Sequence, residues 1–464
     1  MCKYKYLVIL ICLSLTACEN YLDVVPKGKV IPTALNDYRL MLDQTEYNGG
    51  SSGLIDCYLS DIFLGNDITV TPFSEAMYRE AELNMLMFKE HVYLEDQTDG
   101  DWSGLYNQIY IANVVIEQVM DAADGTLEER ESLRAEAYVH RAFAYWALVN
   151  LYAKHYNAAT ADEDLGVPLR LGIDFEESLK RASVQGVYNQ ILADLNNAVD
   201  KLPETPELNI NYRPTNAAAL GLLARVHLYM NNVDEAANFA TQALALHNEL
   251  IDFNTLGTSP IIPILLHYPV TLENKEVVFN KVVGSGNSMF YIHPDLVNLY
   301  DAANDLRYQT NCLPDWVFGA NYGFVIAKFF GGQPTVGINT PELHLILAEC
   351  YARKGGSANI GLAMGHLNTL RKKRYATGAD YELNATDDQT ALRLVKEERR
   401  RELCFNGQRL FDIKRFNLLD GDNIGVSRTI SGEEYTIEAS SPYFIMPIAR
   451  LYIDLNNEIE QNER

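Results

Sequence analysis

The stretch "NAAALGLLARVHLYMNNVDEAANFATQALAL", Asn216 to Leu246, decides the fold. Ala224, Ala236 and Ala243 stand twelve and then seven residues apart, the spacing of the small residues in a tetratricopeptide repeat. A methyl group at these positions lets two antiparallel helices approach closely. Asn231-Asn232 supplies the turn between them, since asparagine tolerates left-handed backbone. A looser copy lies in "ELHLILAECYARKGGSANIGLAMGHLNTLR", Glu342 to Arg371, with Ala348 in its first helix and Ala363 displaced by a longer turn. The expected fold is mainly α: a tetratricopeptide-like array of three or four helix pairs, separated by inserts too long for a bare solenoid.

Working outward, the same helical period governs Trp102–Asp121, where Leu105, Ile109, Ala112, Ile116 and Val119 form one apolar stripe. Gly125 stops that helix, and Thr126 with Glu129 fits a capping box opening the next. "EERESLRAEAYVHRAFAYWALVNLYA", Glu128 to Ala153, carries two apolar stripes, one through Leu133, Ala137, Ala144, Leu148 and Leu151, the other through Tyr138, Ala142, Tyr145, Val149 and Tyr152. A helix apolar on two sides packs between neighbours. Ser183 is placed to cap a third helix with the stripe Val184, Tyr188, Ile191, Leu195, Ala198 and Leu202, stopped by Pro203. Residues 250–337 change character. "NKEVVFNKVV" and "YGFVIAKFF" read as short strands among frequent Gly, Asn and Pro, and the tail "EYTIEASSPYFIMPI" is also strand-like. These parts are expected to form a loop-rich cap with short strands against the helical array.

The N-terminus carries a different signal. Lys3 and Lys5 precede an apolar run from Leu7 to Leu15 that is far short of the ~20 residues of a spanning helix. A basic start, a short apolar centre and small residues before a cut mark a secretory signal over residues 1–17. Leu15-Thr16-Ala17-Cys18 is similar to the lipobox of bacterial lipoproteins, with Cys18 as the lipid-bearing new terminus. Without Lys3 and Lys5, 36 basic residues face 62 acidic ones, a formal charge of −26. Such a surface repels nucleic acid and anionic headgroups, and nucleic-acid binding is excluded as a function. Of seven cysteines, Cys18, Cys57, Cys312, Cys350 and Cys404 survive cleavage. None forms a C-x-x-C pair, so zinc and thioredoxin-type chemistry lack support. The sequence leaves disulfide pairing among Cys57, Cys312, Cys350 and Cys404 open.

No zinc-protease, serine-hydrolase, P-loop or dinucleotide fingerprint occurs, and no cofactor or metal is expected. "DGDN", Asp420 to Asn423, lacks the spacing of an EF-hand loop and reads as a polar turn. His140 and His227 fall inside helices and read as structural. No catalytic carboxylate pair is marked out. Aromatics in polar, irregular sequence are the better candidates, because exposed rings stack on the C–H faces of sugars while neighbouring carboxylates and amides bond the hydroxyls. Trp316, Tyr291, Tyr322 and Trp102 meet that test, with Asp67 and Asp101 as polar partners. For Trp102, packing at a helix start is the competing reading. Trp146 and Tyr145 lie on helical stripes and read as core.

Several segments together resemble the SusD/RagB family. They are "CENYLDVVPKG", "AEAYVHRAFAYWALVNLYA", "SVQGVYNQILADLNNAV", "RPTNAAALGLLARVHLYM", "HLILAECYARKG" with "LNTLRKKR", "EERRRELCFNGQRLFDIKRFN", and the closing "YFIMPI" and "LNNEIEQN". The block from Arg399 is the most specific. Asn406 stands where the family usually has glutamate, and Cys404 where it has a small residue. Arg409 and Asp412 are expected to tie the Gly407 turn to its helix. The resemblance implies one SusD-like unit over 18–464, with helical pairs at about 102–248 and 340–416 and an irregular ligand side mainly at 50–101 and 250–337. It also implies a non-enzymatic, lipid-anchored outer-membrane protein facing the exterior. Such a protein holds an oligosaccharide for a SusC-type, TonB-dependent transporter, which meets the helical half. Peptide capture within the family and a surface glycan-cleaving enzyme are the rival readings.

The first prediction concerns Cys18. Several acyl chains there anchor firmly, at ~0.8 kcal/mol per buried methylene. Cys18→Ala should abolish acyl labelling and release the protein from the outer-membrane fraction; retention with normal labelling would exclude the lipobox.

Overall fold

The computed structural model describes residues 32–43, 56–57, 60–283, 289–328 and 335–464 of the chain, so Cys18 and the Cys57 side chain lie outside it. Among the described residues nine long helices carry the architecture: α1 Gly100–Gln118, α2 Leu127–Tyr152, α3 Val184–Ala198, α4 Asn216–Tyr229, α5 Val233–Leu246, α6 Thr340–Lys354, α7 Ser357–Arg371, α8 Asp388–Glu402 and α9 Arg409–Asp420. Helices α1 to α7 pack in chain order, each against the next, and α8 lies against α6 and α7. No helix among the described residues is long and apolar enough to cross a membrane.

Local chemistry sets the helix ends. The Thr126 Oγ1 accepts the Glu129 N–H at 3.2 Å while the Glu129 carboxylate accepts the Thr126 N–H at 2.7 Å, closing the expected capping box. Ser183 caps α3 by accepting the Gly186 N–H at 3.1 Å. Helix α2 is an inner member of the stack, with every side chain from Val139 to Tyr152 buried. Asn231 takes the left-handed backbone of the α4–α5 turn at φ 60°. Ala224, Ala236 and Ala243 are all fully buried. At Gly221 the approach is closer still, because a Cβ there would sit 2.7 Å from the Ile338 side chain.

Beside the helices lies a four-stranded antiparallel sheet of β1 Ile68–Thr69, β2 Tyr291–Ile292, β3 Cys312–Pro314 and β4 Phe324–Ile326, in the order β1-β2-β4-β3. Val277–Phe279 pairs with Ile338–Asn339, and Val426–Ile430 with Glu433–Ile437 across a Ser431-Gly432 turn. The tail is strand only to Ile437. Beyond it, Pro442 opens a 3-10 turn, and Met446 bonds back to the Leu151 carbonyl at 2.9 Å. One apolar core joins α1 to α6, the sheet and this tail, and a second sits among α6, α7 and α8.

Charge is threaded through these interiors. Arg225 pairs with Glu342 at 2.6 Å, Arg141 with Asp194 at 2.7 Å and Arg399 with Asp412 at 2.6 Å, all buried. Arg415 bonds Glu349 and Asp412. One expectation is corrected. Arg409 does not meet Asp412; its Nε donates to the Asn66 side chain at 2.7 Å, because Asp412 is already held by Arg399 and Arg415. The "DGDN" turn is fastened by cations: Arg353 grips Asp420, and Lys396 reaches Asp420 at 2.8 Å and Asp422 at 2.7 Å. Cys312, Cys350 and Cys404 are buried free thiols. His140 is buried against Phe279, and burial pushes its pKa well below the usual range.

Because Ala224 and Ala243 are fully buried on packed helix faces, Ala224→Leu should destabilise the protein by ~1–3 kcal/mol through overpacking, and Ala243→Leu similarly. Denaturant midpoints unchanged in both variants would show that the close helix contacts lie elsewhere.

Candidate functional site

The sheet gathers four of the six residues singled out in the sequence: Asp67 just before β1, Tyr291 in β2, and Trp316 and Tyr322 in the β3–β4 connection. That connection is tightly built. A 3-10 turn, Asp315–Phe318, ends at Gly319 with φ 78°. The buried Asp315 carboxylate accepts the Tyr322 N–H at 2.6 Å, and the Asp315 N–H donates to the Gly323 carbonyl at 3.0 Å. The turn's backbone is thereby held while its side chains point outward. Trp316 is 62 % exposed, Tyr322 53 % and Phe318 40 %.

Tyr291 is placed differently. Its ring is buried beneath Tyr322, edge to face with centroids 6.3 Å apart. Burial, with Asp315 beside it, pushes the hydroxyl up to about 12. Tyr291 therefore supports the outer ring and offers no open face. Asp67 has one oxygen engaged and one, Oδ2, buried without a hydrogen-bond partner among the described residues. It is buried, and its Oδ1 accepts Arg400 Nε at 2.8 Å, while Arg400 also donates to the Asn66 carbonyl at 3.1 Å.

Trp102 and Asp101 are not part of this sheet. Trp102 is 6 % exposed, packed edge-on against Tyr152 at 4.9 Å and beside Tyr106 and Tyr452. In the first turn of α1 the Trp102 ring thus packs on the inner helix α2 and presents little open face. Asp101 accepts the Ser60 N–H at 2.9 Å and its hydroxyl, tying the short helix Ser60–Leu64 to α1. Sequence reasoning missed Phe318. The signal was available, since Phe318 stands two residues after Trp316 in the same irregular stretch.

What remains is a rigid tip with three exposed rings, Trp316, Phe318 and Tyr322, over a buried Tyr291 and Asp315. It can stack on flat apolar faces while backbone amides and carbonyls of the tip bond hydroxyls. Among the described residues no group of three or more metal-ligating side chains is assembled.

Two family models match the chain. One, described as starch-binding associating with outer membrane, covers residues 20–228, and the other, the SusD family, covers 331–464. SusD-like protein P25 of Formosa agariphila is 21 % identical over 87 % of this chain and 88 % of its own. A SusD-like protein of Bacteroides ovatus is 31 % identical over 29 % of this chain and 23 % of its own. Among solved structures, a SusD superfamily protein from Bacteroides thetaiotaomicron superposes with TM-score 0.70 at 21 % identity, covering 93 % of this chain and all of that one. A laminarin binding SusD-like protein superposes with TM-score 0.61 at 19 % identity, covering 93 % and 99 %.

The position of Trp102 depends on a titrating cap. Asp99 Oδ1 accepts the Asp101 and Trp102 N–H groups at 3.0 and 3.3 Å, and its other oxygen accepts the Tyr152 hydroxyl. Burial, then the neighbouring Asp101, pushes this carboxyl up to about 7 from 3.8. The folded state therefore holds the proton more tightly than the unfolded chain. The stability Asp99 contributes is full at acid pH and declines as pH rises from about 4 to about 7. Asp99→Asn keeps a capping oxygen and removes the titration. The stability difference, wild type minus variant, should fall across that window in denaturant titrations; a constant difference would refute the assignment.

Proposed function

The chain belongs to the SusD/RagB family, and from that premise we propose that it is a non-enzymatic, surface-exposed lipoprotein that captures oligosaccharides. It delivers them to a SusC-type, TonB-dependent transporter in the outer membrane. The observation that carries the ligand reading is the tip holding Trp316, Phe318 and Tyr322, three exposed rings on a braced connection. At a formal charge of −26 without Lys3 and Lys5, the protein offers a neutral glycan stacking and neutral hydrogen bonds as its means of attachment. Anchoring through Cys18 holds the tip near the partner's pore, so effective concentration adds to a modest intrinsic affinity.

Losing one stacking ring should remove ~1–2 kcal/mol, about a tenfold loss of affinity. Calorimetric titration with a panel of neutral oligosaccharides, laminarin-derived ones included, should give saturable binding without turnover. Trp316→Ala should weaken it about tenfold, with circular dichroism unchanged. Full affinity in Trp316→Ala and in Phe318→Ala would move the site elsewhere. Binding of peptides but of no glycan would overturn the ligand class, and release of shortened products would make the protein an enzyme.

A further inference from the structure

At the end of the β3–β4 hairpin opposite the aromatic tip lies a cavity of about 300 Å³. This is the lower end of the ~300–1,000 Å³ range of small-molecule sites. Its walls are largely apolar, with Leu265, Leu266, Val270, Ala327 and Leu403 among them. The loop that closes it is built in, since the Leu266 N–H donates to the Gln309 carbonyl at 3.2 Å and Leu265 packs on Leu313 and Ala327.

The buried charges in the lining are already satisfied. Glu276 is held by Arg374 at 2.8 Å, Glu402 by Arg374 at 2.9 Å and by Arg307 at 2.8 Å, and Arg307 also by Asp305 and Glu398. Lys328 differs. It lines the cavity half-buried, and its ammonium donates to the Cys404 carbonyl at 3.3 Å. Among the described residues it makes no ion pair within 4.0 Å. Glu402 in the same lining feels its charge, which helps Arg374 and Arg307 hold that carboxyl below its usual range against the effect of burial. An ammonium has three donors, and the single carbonyl leaves capacity for an anion at the edge of an apolar space. Attraction is stronger there than in open water.

We infer that this cavity is a second binding site, separate from the aromatic tip, for a small monocarboxylate with an apolar body. The carboxylate meets Lys328 and the apolar body fills the space between Leu266, Val270 and Leu403. A neutral isostere of the same shape would gain the apolar contacts and lose the charge-assisted hydrogen bond, the stronger kind.

The test uses 4-phenylbutyrate and its neutral amide as probes in calorimetric titration of the whole protein. Wild type should bind the acid about tenfold more tightly than the amide, as a charge-assisted bond predicts. Lys328→Met should erase that preference, and Lys328→Arg should retain most of it. Val270→Trp, at a partly exposed wall position, should fill the space and remove binding of both probes, with circular dichroism reporting the fold. The inference is overturned by equal affinity for acid and amide in wild type, by an unchanged preference in Lys328→Met, by undiminished binding in folded Val270→Trp, or by no binding of either probe.

Discussion

Five consecutive charged residues at the end of α8, Glu398 to Glu402, tie neighbouring helices to the roots of the sheet. Glu398 receives Arg307, Arg371 and Arg401, and Glu402 receives Arg307 and Arg374. Arg399 reaches forward to Asp412 in α9, Arg400 sideways to Asp67, and Arg401 to the Leu299 carbonyl at 3.1 Å. Pairs this deeply buried add little net stability compared with apolar residues of similar volume, because both charges lose water. Breaking one is another matter, since a stranded buried charge costs ~3–5 kcal/mol. The lattice therefore acts mainly as a constraint. Arrangements that leave one of these arginines without its carboxylate are heavily disfavoured, and the strands and loops are held to the positions that satisfy all of them.

The sheet shows how that constraint reaches the surface. Arg400 fixes Asp67 at the root of β1, on one edge. Glu398 and Glu402 fix Arg307 in the helix Leu306–Asn311, which runs directly into β3 on the other edge. Four strands of two or three residues form few ladder bonds and are weak alone. Anchored at both edges by the same helical turns, they become a fixed base. Asp315 then holds the connection above them through the Tyr322 and Gly323 backbone. Exposed rings on such a base lose little freedom when they stack on a ligand, and lower ordering cost is what separates a useful platform from a mobile loop.

The helical half was legible because its signals are local. Small residues at repeat spacing, a capping box and a doubly apolar helix each imply one geometry, and Ala224, Thr126 and the Val139–Tyr152 run realise them. Residues in the irregular sequence were harder. Trp102, Tyr291 and Trp316 all lie in polar, irregular sequence, yet two are buried and one is exposed. The difference lies in long-range contacts: Tyr152 and Tyr452 cover Trp102, and Tyr322 covers Tyr291. Asp67 looked like a ligand group for the same reason, since its partner stands 333 positions away in α8. Charged residues in the Arg399 block were rightly read as structural, but the partner of Arg409 depended on Asn66 arriving from a distant loop.

Charge sorts the molecule's surfaces by what they can hold. Each internal arginine–carboxylate pair is neutral, so these pairs leave the formal −24 to be carried by the remaining groups. An anion approaching the open surface meets that field, screened over a Debye length of ~8–10 Å. At the tip of the β3–β4 connection, rings rather than charges are exposed, and a neutral polyhydroxylated ligand is the species least penalised there. Lys328 stands apart, a cation with a carbonyl partner and a largely apolar cavity beside it. Shielded by those walls, its field is less diluted by water than that of a surface lysine. The two ends of one short hairpin thus differ, with exposed rings at the tip and, at the base, a largely apolar cavity edged by Lys328. The arginine lattice of α8 holds both in place by fixing the root from which the hairpin grows.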